Sequence, residues 1–335
     1  MRHRMVGLVA SLWLLAAAAI GAVTVLPAAP AQAAYPGRDG KIAYVITSPS
    51  GTSHDIWTVN PDGTGNRRIT NNGNSWHPRW SPDGKLIAFE RNKDIYIMTP
   101  TGSLVRRVTT TGRAHQPSWS PNGKRIAFVN VLANGHGDIF TVAATGGPIT
   151  RVTHDAATTC GDDRPSWSPL GGLILYHQRT GSDCSHNRIL LVTLSSGAQR
   201  VVTEDGALNP RDVVIDPDFT ADGRHVVIMA ICETSDTISC ATQSYNAMVV
   251  NLDGSNRQAL TNSDGTEGDD RLYEVTAAPD GQHVLVVGHT WPGYYPDNQE
   301  TRMYVAPFDP AFSTIVFSVD DSVGRITQPD WQPLP

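Results

Sequence analysis

The chain has 335 residues and a formal net charge of −6, with 26 Lys and Arg against 32 Asp and Glu. That excess of acid excludes nucleic acid and an anionic membrane surface as the main partner. The length is large for one ordinary core, so burial has to be spread over several units.

Residues 1–33 read as a signal peptide rather than as part of the fold. Arg2, His3 and Arg4 precede an apolar run from Met5 to Val25, and Ala31-Gln32-Ala33 offers a cleavage site before Ala34. The same run is long enough to serve as an uncleaved membrane anchor, the alternative reading. No cysteine near the site offers a lipid anchor. Cleavage removes Arg2 and Arg4, takes the net charge to −8, and leaves no segment for membrane insertion.

Residues 34–335 repeat. Trp80-Ser81-Pro82-Asp83-Gly84-Lys85-Leu86-Ile87-Ala88-Phe89 recurs as Trp119-Ser120-Pro121-Asn122-Gly123-Lys124-Arg125-Ile126-Ala127-Phe128, and more loosely from Trp167 to Tyr176. The turn glycines Gly40, Gly84, Gly123, Gly171, Gly223 and Gly281 mark six units, the length of four-stranded propeller blades. In the clearest units a short strand ending near the Trp enters a Ser-Pro-Asp-Gly hairpin turn, and the last two drift to Phe219-Thr220-Ala221-Asp222-Gly223 and Ala277-Ala278-Pro279-Asp280-Gly281. The next strand, such as Lys85–Glu90, is almost continuously apolar and suits a sheet covered on both faces. A third strand follows as Asp55–Val59, Asp94–Met98 or Asp138–Val142, and a short outer strand as Arg68-Ile69-Thr70, Arg107-Val108-Thr109 or Arg151-Val152-Thr153.

The first unit lacks its leading strand, while Gln328-Pro329-Asp330-Trp331-Gln332-Pro333 is that strand with nothing after it. The C-terminus therefore completes blade one and closes the ring, removing exposed sheet edges. The expected fold is all-β: a six-bladed β-propeller of four-stranded antiparallel blades.

These Trp-Ser-Pro-Asp-Gly units, with their Asp-Ile-Tyr and Arg-Val-Thr segments, resemble the repeats of the TolB-type propeller family over residues 41–334. TolB proper adds an amino-terminal α/β domain, for which this sequence leaves no room. The resemblance therefore implies the propeller domain alone.

Cys160, Cys184, Cys232 and Cys240 all lie after the signal segment. An even number in an exported chain points to disulfides, and pairing within single blades favours Cys160–Cys184 and Cys232–Cys240; a metal site is the weaker alternative.

Long connections gather between strands two and three and between successive blades, on one face of the ring; the other face carries tight turns such as Asn60-Pro61-Asp62-Gly63 and Leu252-Asp253-Gly254. The long-loop face is therefore the expected binding face. Its aromatic cluster, Trp291, Tyr294 and Tyr295, suits a partner contact, or else caps blade six. Alignment places His77, Gln116, Arg164, Asp216, Glu274 and Gln328 at one position just before the inner strand, at the channel mouth. They could hold a ligand or only water.

His77 and His115 could meet Asp163 or Glu274 as metal ligands, although nothing in their spacing requires it. The acidic run Glu267-Gly268-Asp269-Asp270 lacks the spacing of a calcium loop. No serine-hydrolase elbow, zincin helix, P-loop or complete dinucleotide fingerprint is present. The expectation is a monomeric, secreted or envelope-located binding module without catalytic residues, cofactor or metal, for a protein partner or a glycan. The alternatives are a lyase or hydrolase acting on a glycan and a carbohydrate-binding module.

Overall fold

A strand that is apolar on both faces needs cover on both, and neighbouring repeats supply it to one another. The computed structural model describes residues 37–155, 159–206, 212–232, 244–261, 270–290, 300–308, 314–320 and 324–334. Within them lie six four-stranded antiparallel sheets and no helix. Blade one pairs β24 (Arg325–Leu334) with β1 (Arg38–Thr47), β2 (His54–Val59) and β3 (Arg67–Arg68). Blade two runs β4 (Ser75–Trp80), β5 (Ile87–Arg91), β6 (Asp94–Met98) and β7 (Arg106–Arg107); blade three runs β8 (Ala114–Trp119), β9 (Arg125–Val131), β10 (Gly137–Ala143) and β11 (Thr150–Arg151). Blade four comprises β12 (Gly161–Trp167), β13 (Leu173–Thr180), β14 (His186–Thr193) and β15 (Gln199–Glu204). Blade five comprises β16 (Asp212–Phe219), β17 (His225–Cys232), β18 (Ser244–Asn251) and β19 (Gln258–Ala259). Blade six comprises β20 (Asp270–Ala277), β21 (His283–Thr290), β22 (Glu300–Pro307) and β23 (Thr314–Asp320).

The core is a set of apolar seams between blades. Along β1, Ile42 and Tyr44 pack toward blade six, with Leu285, Met303 and Trp331. Ala43 and Val45 pack toward blade two, with Trp80, Ile87 and Phe89. This period-two division explains why both alternations of the strand are apolar. The C-terminal strand closes the ring as expected: Ile42 stands opposite Trp331, whose indole N–H donates to the Gly40 carbonyl at 3.0 Å.

The outer strands are shorter than the sequence suggests, only two residues in blades one, two, three and five. Their Thr hydroxyls take over from the backbone ladder. Thr70, Thr109, Thr153 and Thr261 accept the N–H of Ile56, Ile95, Ile139 and Ala247 at 2.8–3.0 Å. In blades one and two the hydroxyl then donates to the strand-three aspartate, Asp55 or Asp94, which also accepts Arg68 or Arg107 at 2.5 Å. The Arg-x-Thr signature is thus a side-chain clamp on the blade edge.

The Ser-Pro-Asp-Gly turns are held by their own side chains: Asp83 accepts Ser81 Oγ at 2.7 Å and the Lys85 N–H at 3.1 Å. Gly84 has φ +64°, and a Cβ there would sit 2.3 Å from the Pro333 carbonyl oxygen, so glycine is required by both conformation and space. These turns define one face of the ring, the turn face. The opposite face is the loop face, into which β9 runs on to Val131 and β13 to Thr180, and from which β12 starts at Gly161.

Candidate functional site

The channel is lined by the inner strand of each blade, and each of these strands carries a register shift midway, such as Trp76 to Arg79 and Asp163 to Ser166. At that irregularity sit His77, Gln116, Arg164, Asp216, Glu274 and Gln328, all lining one central cavity. The expected position just before the strand is therefore corrected: the residues lie within the strands, because a bulge turns each side chain toward the channel. Five of the six, all but Glu274, have positive φ between 49° and 55°. Those five precede a proline, Pro78, Pro117, Pro165, Pro217 or Pro329, which cannot donate to the ladder and so marks the break. Non-glycine residues in this region cost about 1–3 kcal/mol each, so other contacts must hold them.

Those contacts run from blade to blade. Gln328 Oε1 accepts the His77 N–H at 2.7 Å, and Gln116 Oε1 accepts the Arg164 N–H at 2.9 Å. Glu274 accepts the Gln328 N–H, and the Arg164 guanidinium pairs with Asp216. Where blade six has Val275 in place of proline, the free N–H donates to Asp216 at 2.8 Å. Burial, aided by the nearby Asp216 charge, pushes the Glu274 carboxyl up to about 8.

A second ring, which sequence alignment did not single out, lies two residues further toward the turn face: Arg79, Ser118, Ser166, Asp218, Thr276 and Asp330. Its signal was available as the polar residue before the inner-strand aromatic in five blades, with Thr276 before Ala277 in the sixth. Asp330 accepts the Trp80 N–H at 2.5 Å and pairs with Arg79 at 3.2 Å; Asp218 accepts Ser166 Oγ and Thr276 Oγ1, each at 2.7 Å. Burial raises Asp330 to about 6 against the opposing pull of Arg79.

Toward the loop face the channel opens into a groove over blades two to four, lined by Trp76, His115, Gly135, Cys160, Asp163 and Arg179 among others. Glu90, 8% exposed, accepts His77 Nδ1 at 3.0 Å and His115 Nδ1 at 2.8 Å. Burial opposes ionisation, yet these two hydrogen bonds bring Glu90 down to about 2. Burial lowers His77 against the pull of Glu90. His77 and His115 do meet, but on Glu90, whereas Asp163 pairs with His177 at 2.7 Å and Glu274 belongs to the channel ring. Trp76 stacks on His54 with centroids 3.3 Å apart.

The Cys160–Cys184 disulfide forms one rim of the groove. The expected Cys232–Cys240 bond, the aromatics Trp291, Tyr294 and Tyr295, and the acidic run at 267–270 reach beyond the described residues.

The family model of the TolB beta propeller domain matches residues 15–207, more than half of the sequence. The chain belongs to that family. TolB from Acinetobacter baumannii is similar in fold at 20% identity, with a TM-score of 0.67, over 88% of this chain and 67% of that one. The putative TolB from Agrobacterium tumefaciens is 17% identical, with a TM-score of 0.60, over 89% of this chain and all of the other. An oligogalacturonate lyase from Vibrio parahaemolyticus shares the fold at 13% identity and a TM-score of 0.52, over 85% of this chain and 74% of that one. No curated protein matches the sequence. At these identities the structural likeness defines the TolB-type propeller and not an activity.

Proposed function

We propose that this TolB-type propeller is an exported, non-catalytic binding module whose loop-face groove receives a segment of a protein partner. One observation carries the reading: the polar groups of the channel ring are engaged in blade-to-blade hydrogen bonds, while the groove presents Trp76 and Arg179 around the channel mouth, beside His115 and Asp163 held in place by Glu90 and His177. An aromatic ring, an arginine and a carboxylate on a rigid rim suit recognition of a peptide or loop. The Cys160–Cys184 bond and the leading apolar segment support an extracytoplasmic location, with the chain acting as a monomer after signal cleavage.

The test is affinity for the partner captured by the protein in its own envelope fraction, compared between wild type, Trp76→Ala and Arg179→Glu. Loss of at least about tenfold with unchanged melting supports the groove, since an interface anchor is worth about 2 kcal/mol or more. Unchanged affinity in both variants rejects it. The raised Glu274 carboxyl favours a second reading, an enzyme acting on a glycan, because a buried acid near 8 is suited to proton transfer. Cleavage of an acidic polysaccharide by wild type and not by Glu274→Gln would select that reading.

A further inference from the structure

The carboxylates of Asp138, Asp155 and Asp162 each bring an oxygen within 4.8 Å of the others, at the base of the disulfide loop. Blades one and two show what the repeat places there. A single aspartate, Asp55 or Asp94, meets an arginine, a threonine hydroxyl and loop N–H groups such as that of Gly73 or Gly112. Blade three keeps the Asp138–Arg151 pair and adds Asp155 and Asp162 from the two ends of the following connection. Three carboxylates this close repel one another.

A second observation lies beside the cluster. Tyr176 is fully buried, and its hydroxyl has no hydrogen-bond partner among the described residues. It shares a strand face with Gln178, two residues on, whose Nε2 donates to Asp155 at 2.8 Å and Asp162 at 2.9 Å. Burial raises the phenol first, and the charges of Asp162 and then Asp155 raise it further. Asp162, 1% exposed, also keeps its Oδ2 without a hydrogen-bond partner among the described residues. Buried polar atoms of this kind are costly unless something bonds them.

We propose that Asp138, Asp155 and Asp162 form a site for a hard divalent cation, calcium in particular, that ties the base of the disulfide loop to blade three. The donors are all oxygen, which selects calcium or magnesium over softer metals, and of the two calcium tolerates the more varied ligand geometry and sheds its waters more readily. Arg151 on Asp138, and Arg188 held on Gln178 Oε1 at 2.8 Å, oppose a second positive charge and keep affinity modest. An affinity of about 10⁻⁴–10⁻³ M is expected, the range of extracellular calcium modules. Cys160, Asp162 and Asp163 line the loop-face groove, so the bound ion would stiffen that wall.

The experiment uses the full chain, stripped with a chelator and melted with and without about 10 mM calcium at matched ionic strength, with magnesium in parallel. Calcium should raise the melting temperature by about 2–4 °C and magnesium by less. Asp162→Asn and Asp155→Asn should each abolish the calcium response, and Asp280→Asn, in the separate Asp39–Asp280–His283 cluster, should retain it. Two asparagine variants are used so that a folding failure in one leaves the other to decide. Identical melting of wild type with and without calcium means that protons or water satisfy the carboxylates, and overturns the proposal. A response that survives in either asparagine variant, or disappears in Asp280→Asn, overturns it as well.

Discussion

Gln328 and His77 stand 251 positions apart, yet the Gln328 side chain accepts the backbone N–H of His77 at 2.7 Å across the seam between blades one and two. The last strand thereby holds both of its neighbours: Trp331 packs against blade six and Asp330 accepts the Trp80 N–H of blade two. Ring closure rests on side chains as well as on the β1–β24 ladder.

Deleting residues 328–335 is expected to open the ring and destabilise the whole domain. Loss of the Trp331 side chain alone is worth about 3–5 kcal/mol. Thermal melting followed by circular dichroism checks this, and an unchanged cooperative transition would reject the closure.

Glu90 sets an acid limit. Its folded pKa of about 2 lies below the ordinary 4.5, so its contribution is complete above about pH 4.5 and is lost as pH falls toward 2. Glu90→Gln should cost on the order of 2–3 kcal/mol at neutral pH and flatten the acid limb of the stability curve. Urea unfolding between pH 2 and 7 measures both effects.

Glu274 acts with the opposite sign. Its folded pKa of about 8 lies above 4.5, so the native state keeps a proton that the unfolded chain has released. Stability from this group therefore declines as pH rises from about 4.5 to 8. Glu274→Gln, which keeps an acceptor for the Gln328 N–H, should remove that decline and leave the protein about 1–2 kcal/mol more stable at pH 9. The same unfolding series extended to pH 9 measures it, and an unaltered slope would contradict the assignment.

Reduction of Cys160–Cys184, which closes a span of 24 residues, should lower stability by about 3.5 kcal/mol at most in the loop-entropy model. Comparison of melting with and without reductant in Cys232→Ala/Cys240→Ala protein isolates this bond.

The architecture was legible because the repeat is written in residues with single physical roles. Trp80 fills a seam, Gly84 turns a corner and Thr109 clamps an edge, each at a fixed spacing. The channel ring was legible as a column, but not its place inside the strand. Its clue was the proline after His77, Gln116, Arg164, Asp216 and Gln328, where the backbone bulges. Glu90 left only a faint trace, a lone acid ending an apolar strand, because its partners His77 and His115 come from two blades. The cluster of Asp138, Asp155 and Asp162 left none, since only the turn of the chain between blades three and four brings it together.

Site-specific photo-crosslinking in the native envelope tests the groove most directly, with the photoreactive residue at Trp76 or Arg179 on the loop face and at Asp62 or Asp253 on the turn face. The groove positions should both yield an adduct with the same partner protein, and the turn-face positions none. An adduct formed from Asp62 or Asp253 and absent from Trp76 and Arg179 would contradict the placement of the binding site.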